Sequence, residues 1–205
     1  PYAHAPFFNI SAMSFGALSA PAVRALSRGA ASAGIWLDTG EGGLAPYHLE
    51  GGCDVVFEIG TAKYGVRDAA GRLDEGKLRE IAARPEVKMI NVKLSQGAKP
   101  GKGGLLPGAK VTAEIARIRG IPEGQDSISP NRHTDIGSVP ELLDFIARVR
   151  DVAGKPVGFK AVLGDPRWIA ELCAEVRRRG LDSAPDFIIV DGSEGGTGAA
   201  PQTLM

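Results

Sequence analysis

Two cysteines in 205 residues, Cys53 and Cys173, are too few and too far apart to form a disulfide framework or a cysteine-based metal site. Net charge is absent too, with Lys+Arg 24 against Asp+Glu 24, which argues against a nucleic-acid surface or a membrane-skimming role. No apolar run approaches the ~20 residues of a membrane span. With three histidines and no serine–histidine–acid or cysteine–histidine pattern, the chain has little material for nucleophilic catalysis. No secretory leader is expected from these residues, and Pro1 is not a natural start, so the true N-terminus is expected upstream. A reducing cytoplasm fits the two lone thiols. Cys173 falls on an apolar stripe with Ile169, Leu172 and Val176, which predicts a buried, inert side chain.

Glycine, in contrast, is plentiful at 28 residues, gathered in patches between apolar runs. The chain is 43% hydrophobic and 23% charged, ordinary for one soluble domain with a real core. Strand-length apolar runs fall at 7–13, 35–38, 55–59, 87–94, 127–129, 156–163 and 187–191. Several are continuous rather than alternating, as in parallel strands covered on both faces.

Helical patterns lie between them. Ser138-Val139-Pro140-Glu141 is a capping box ahead of Leu142, Ile146 and Val149, with Gly154 beyond the end. Asp165-Pro166 opens another helix that Gly180 closes. Residues 19–21 start one with stripe Val23, Leu26 and Ala30; Asp74 caps one through Leu78 and Ile81; Val111, Ile115 and Ile118 line a fifth. Repeated strand–helix–strand is a βα architecture. About seven strands are counted, against eight and ~250 residues in a complete barrel, so a (β/α)8 TIM barrel lacking its last βα unit is expected, with 1–205 as one domain. An open doubly wound sheet is the alternative.

The last strand empties into Asp191-Gly192-Ser193-Glu194-Gly195-Gly196-Thr197-Gly198. Glycine lets a backbone approach a bulky anion and aim several N–H groups at it, so this loop reads as a phosphate cradle or, more plainly, as a flexible turn. It is neither a P-loop nor a dinucleotide fingerprint.

In a barrel, chemistry belongs at strand C-termini. Those places hold Ser11-Ala12-Met13-Ser14-Phe15-Gly16, then Asp38-Thr39-Gly40-Glu41, then Lys93 through Gln96 to Lys99 and Lys102, then Lys160. Lys93 and Lys160 lie inside otherwise apolar strands. Each either forms an internal ion pair, with Glu41, Glu58 or Asp191, or stands beside an anionic cofactor or substrate. Arg119 ends a helix, where complementing the dipole is its default role. His133 sits in a polar loop, where it could serve as an acid or base but is expected as a surface histidine. The inventory is rich in cations and donors and poor in nucleophiles, which suits a phosphorylated cofactor with an anionic substrate.

Ile10-Ser11-Ala12-Met13-Ser14-Phe15-Gly16-Ala17-Leu18-Ser19, Thr39-Gly40-Glu41-Gly42-Gly43, Gln96-Gly97-Ala98-Lys99-Pro100-Gly101, Leu106-Pro107-Gly108, Ile128-Ser129-Pro130 and Gly195-Gly196-Thr197-Gly198-Ala199 occur in matching order. Together, over essentially the whole chain, they resemble the FMN-binding synthase domain of the glutamate synthase family. The resemblance implies FMN on a β/α barrel and reduction of 2-iminoglutarate, formed from 2-oxoglutarate and ammonia, to L-glutamate. It implies that Gly195, Gly196, Thr197 and Gly198 hold the FMN phosphate, that Ala12, Met13 and Ser14 lie against the flavin, and that Thr39, Lys160 and Asp191 complete the cofactor contacts. Lys93 and Glu41 are implied as catalytic, Lys93 on the flavin side and Glu41 where ammonia meets substrate. Gln96, Lys99 and Arg119 are implied as the grip on the substrate carboxylates, a task that the guanidinium fork suits.

Where the large glutamate synthases carry prolines and paired histidines after Ile-Ser-Pro, this chain has Asn131-Arg132-His133, which suits the smaller stand-alone FMN-binding branch. An electron-donor protein or subunit and an iron–sulfur cluster with ligands beyond Met205 are further implications. Two other readings stand beside this one: an FMN barrel acting on another anionic substrate, and an inactive flavin- or phosphate-binding fragment. A barrel short of a strand leaves raw edges, so the 205-residue piece alone is expected to bind FMN poorly and to aggregate.

Overall fold

A computed structural model describes residues 2–97 and 103–191. Helix α1 (Ala20–Ala33) starts at Ser19, whose side chain accepts from the Ala22 N–H, and ends at left-handed Gly34. Strand β1 (Leu37–Asp38) leads through the short helix α2 (Pro46–Leu49) to β2 (Val55–Ile59). Helix α3 (Glu75–Ala82), capped by Asp74, precedes β3 (Val87–Lys93). An excursion follows: β4 (Leu105–Leu106), helix α4 (Ala113–Arg119) and β5 (Ser127–Ile128). Helix α5 (Val139–Ala153) then leads to β6 (Val157–Ala161), and helix α6 (Arg167–Arg179) to β7 (Ile188–Val190).

Five strands form one curled parallel half-barrel in the order β1-β2-β3-β6-β7. The order follows the sequence without reversal, unlike the switch point of a doubly wound sheet. Ile10 extends the β1 edge through a single parallel bridge to Leu37, where the sequence predicts a strand over 7–13. Residues 127–129, expected as another strand of this sheet, are not in it. Ser127 and Ile128 form β5, which pairs antiparallel with β4 in a separate two-stranded ribbon (Leu105 opposite Ile128, Leu106 opposite Ser127).

Successive strand residues face opposite ways, and here the two faces differ in chemistry. Leu37, Val55, Phe57, Ile59, Ile90, Val92, Val157, Phe159 and Ala161 turn outward into one apolar core with Leu78, Leu142, Phe145, Ile146, Val149 and Leu172 from the helices. Asp38, Glu58, Asn91, Lys93 and Lys160 occupy the opposite face of the same strands. A second apolar cluster, with Phe15, Val23, Leu106, Ile115 and Ile118, packs α4 and the ribbon over the sheet's end.

Helix α5 keeps its expected cap, Ser138 accepting from the Glu141 N–H, although the Glu141 carboxylate takes the N–H of Gly137. Gly154 ends that helix in the left-handed region. Cys173 is a correction: it is exposed, because α6 buries Leu172 and turns the adjacent position outward. None of the described helices is long and apolar enough to cross a membrane.

Candidate functional site

The carboxyl ends of the parallel strands converge on a cleft lined by Glu41, Thr61, Lys93, Ser95, Gln96, Gly103, Gly104, Pro130 and Asn131. Glu41 follows β1. Its seat exists because Gly60, just after β2, has no side chain: a Cβ there would stand 2.6 Å from the Glu41 Cβ. Lys93, the last residue of β3, donates from Nζ to Gln96 Oε1 at 2.6 Å and pairs with Glu41 Oε2 at 3.4 Å. Three of the sequence-predicted residues, Glu41, Lys93 and Gln96, are thus brought into one contact group.

Behind them lies a buried charge layer. Lys160 and Lys93 are register partners on β6 and β3, and Glu58 and Asn91 are partners on β2 and β3. Lys160 Nζ hydrogen-bonds Glu58 Oε2, while Lys93 Nζ lies 3.8 Å from Glu58 Oε1. Asn91 Nδ2 donates to Asp38 Oδ2 at 3.0 Å and to Glu58 Oε2 at 3.2 Å. Both lysines therefore make internal ion pairs, the first of the two alternatives that the sequence leaves open. Burial, and after it the Asp38 charge, pushes the Glu58 carboxyl up to about 7 against the pull of Lys160 and Lys93. Burial also raises Asp38, opposed by Lys160 and by bonds from Gly40 and Asn91. For Lys160, burial pulls the pKa down, but the charges of Glu58 and Asp38 outweigh it and hold it above its usual value.

Ala12, Met13 and Ser14 run along the edge of this layer, half-buried. The Met13 N–H donates to Asp38 O at 3.1 Å, and its carbonyl takes the Nε2–H of buried His48 at 2.9 Å. Gly40, at φ 65°, is what lets Ser14 come so close, since a Cβ there would lie 2.8 Å from the Ser14 nitrogen. Thr39 is buried, with its hydroxyl committed to Gly40 O and the Glu58 N–H. Asp191 follows β7 and accepts the Gly97 N–H at 2.6 Å, tying the Gln96 turn to the far strand.

Arg119 is not among the cleft-lining residues. Its buried guanidinium donates to Ser127 Oγ (3.0 Å) and Phe15 O (3.3 Å) and lies 5.0 Å from the Tyr64 ring centroid. Burial lowers its pKa, and the helix-end dipole role expected by default is replaced by an inward clamp. Lys99, Gly195, Gly196, Thr197 and Gly198 lie outside the described residues.

His133 corrects the expectation of a surface loop histidine. It is buried against Phe145, its Nε2–H donates to the Lys93 carbonyl at 2.9 Å, and burial drops its pKa to about 4. Nearby, fully buried Lys63 pairs with Asp135 at 2.9 Å, and Thr61 Oγ1 donates to Pro130 O at 2.6 Å. These contacts strap the segment before α5 onto the ends of β2 and β3. Sequence reasoning missed Asn91, Thr61, Lys63 and Asp135. Only Asn91 carries a signal, being two residues before Lys93 on one strand and so on the same face. Among the described residues, no cluster of His, Cys, Asp or Glu is arranged to hold a metal ion.

Comparison with known proteins places the chain. Residues 4–205 match a family model described as a conserved region in glutamate synthase. A glutamate synthase large subunit-like protein of Bacillus subtilis is 46% identical over 93% of this chain and 36% of its own length. An archaeal-type glutamate synthase [NADPH] of Thermotoga maritima is 38% identical over 94% of the chain and 34% of its own. An archaeal glutamate synthase [NADPH] of Methanocaldococcus jannaschii is 36% identical over 95% and 35% respectively. The chain thus spans about a third of the length of the curated relatives it matches.

Proposed function

The chain belongs to the glutamate synthase family, and from that premise we propose that it is the FMN-binding (β/α)8 barrel portion of an oxidoreductase that reductively aminates 2-oxoglutarate to L-glutamate through 2-iminoglutarate. The observation that carries this reading is the meeting of Glu41, Lys93 and Gln96 in one cleft at the carboxyl edge of the parallel sheet. That edge is where βα barrels do their chemistry.

The residues present suit FMN. A planar, partly anionic ring needs a flat backbone edge, hydrogen-bond donors and a nearby cation, and Ala12, Met13, Ser14, Lys93 and Lys160 supply them. In this reading Thr39 and Asp191 shape the same seat, and Gly195, Gly196, Thr197 and Gly198 hold the phosphate. When bound, FMN supplies the hydride chemistry. The protein's own residues do the rest. Lys93 spends one N–H on Gln96 and, with its charge shared between Glu41 and Glu58, turns toward a substrate carboxylate or the substrate oxygen. Gln96 and Lys99 position the dicarboxylate, and Arg119 joins the grip in this reading, although its buried guanidinium holds Ser127 and Phe15. Glu41, beside Lys93, accepts a proton from the incoming ammonium so that free amine reaches the oxo carbon. An electron-donor protein or subunit, an ammonia source and an iron–sulfur cluster would come from outside this chain.

A second reading, an oxidoreductase for a different anionic oxo acid, is favoured by Asn131. It lines the cleft just where the sequence departs from the large glutamate synthases. The cofactor is tested by denaturing the full-length protein and chromatographing what it releases. One FMN per chain is expected; a colourless protein with no chromophore would remove the flavin from this reading.

A further inference from the structure

Barrel interiors are ordinarily filled by branched apolar side chains, yet here four strands each send a polar residue to one buried layer. Asp38 comes from β1, Glu58 from β2, Asn91 from β3 and Lys160 from β6, and all four are almost wholly shielded from water. Two carboxylates and the Lys160 ammonium share the layer, and the Lys93 ammonium meets Glu58 from the cleft side. A single amide bridges them, its two hydrogens divided between Asp38 and Glu58. Two carboxylates joined through one amide and this deeply buried resist ionising together, so the pair favours keeping one proton.

Two buried oxygens are left open to such a proton. Glu58 Oε1 and Asn91 Oδ1 are buried and lack hydrogen-bond partners among the described residues. The other carboxylate oxygen, Glu58 Oε2, is already taken by Lys160 and Asn91. Oε1 makes no hydrogen bond among the described residues, and its ion-pair partner Lys93 Nζ lies 3.8 Å away. On its cleft side, the same Nζ meets Glu41 and Gln96. Lys93 therefore stands between a buried carboxyl and the cleft.

We propose that the Asp38–Glu58 pair is a proton store, and that Glu58 recharges Lys93 from behind during the amination step. Delivery to the substrate rests on the glutamate synthase reading; the stored proton does not. Ammonia adds to the 2-oxo carbon to give a carbinolamine. Its C–O bond then breaks, and the departing hydroxyl takes a proton from the Lys93 ammonium and leaves as water. The neutral Lys93 amine next takes the Glu58 proton: an O–H bond breaks, an N–H bond forms, and the negative charge stays on Glu58 beside Lys160. Solvent entering by the cleft refills the store after product leaves. No oxidant or reductant enters these steps. Glu58 is a positioning residue, since it acts only through Lys93.

The charged groups facing Glu58 are Asp38, Lys93 and Lys160, with Glu41 beyond Lys93, while Asp191 acts on Lys160. Their balance sets Glu58 near neutrality, where a store can both fill and empty.

Difference infrared spectroscopy of the full-length protein across pH tests this directly. The wild type should show the carbonyl band of a protonated carboxylic acid that fades near neutral pH. Glu58→Gln should abolish the band, slow amination roughly tenfold below neutral pH and remove the fall in rate above it. Asp38→Asn, which lifts the repulsion, should move the band's fading to lower pH. Absence of the band, or its survival in Glu58→Gln, overturns the store. Loss of the band in Glu58→Gln with rate and pH profile unchanged overturns the delivery to Lys93. A band behaving as expected in a protein that makes no glutamate supports the store and points the failure at the glutamate synthase reading.

Discussion

Lys93 and Lys160 stand at matched positions on neighbouring parallel strands, and both lean on the single carboxylate of Glu58. The arrangement reverses the usual expectation for a lysine in an apolar strand, which is to snorkel toward water. Each ammonium is held in place from behind, and Lys93 is left with its front on the cleft.

Lys160→Met should reveal how much of that support is electrostatic. Removing one partner of a buried ion pair costs about 3–5 kcal/mol when the other must stay charged. Glu58 can instead take up a proton, so the loss should be large at pH 8 and much smaller at pH 6. Denaturant melts of the full-length protein at the two pH values check it, and equal losses would assign the damage to packing. In the FMN reading, the same variant also lowers the flavin potential, because a cation that stabilises the reduced ring is gone.

Glu58 and His133 give opposing pH dependences of stability. His133 falls from 6.5 to about 4 on folding, so the unfolded chain binds more protons between those values and stability rises with pH there. Glu58 rises from 4.5 to about 7, so the folded chain holds the extra proton and stability falls with rising pH across that window. The two slopes offset each other where the windows overlap. Relative to wild type, Glu58→Gln should make Tm climb more steeply from pH 4.5 to 6.5, and His133→Gln should make it fall. Tm curves that stay parallel to wild type would contradict both assignments.

Much of the scaffold is legible in the sequence because its signals are local. The apolar run 55–59 coincides with β2, and Ser138 and Gly154 bracket α5 as their cap chemistry requires. What escapes is set by distant partners. Residues 127–129 have the composition of a core strand, but β5 is only two residues long, too short for any periodicity, and its partner β4 lies in the excursion after β3. His133 sits among Asn131, Arg132, Thr134 and Asp135, a run that reads as solvated. Its burial comes from the Lys93 carbonyl and the Phe145 ring, neither visible in the local sequence. In the site, Glu41, Lys93 and Gln96 are recognisable by motif, whereas the inward layer emerges only when strand register puts Glu58 beside Asn91.

Gly60→Ala should disturb the seat of Glu41, lowering Tm as well as activity. The added methyl meets the Glu41 Cβ and displaces that carboxylate from Lys93. Activity should fall at least about tenfold, as expected when a proton-transfer group is misplaced, with flavin content retained. Unchanged turnover would remove Glu41 from the catalytic set.

Arg119→Ala should lower Tm, since it strips hydrogen bonds from Ser127 and Phe15 worth about 2–4 kcal/mol together. It should also raise KM for the oxo acid while leaving the flavin spectrum intact. An unchanged KM would confine Arg119 to its clamp.

The decisive measurement is made anaerobically on the full-length protein, photoreduced and mixed with 2-oxoglutarate and ammonia. Reappearance of the oxidised flavin bands, with one glutamate formed per flavin, is the expected result. Flavin that stays reduced in the presence of both substrates would contradict the assignment of Glu41, Lys93 and Gln96 to reductive amination of 2-oxoglutarate.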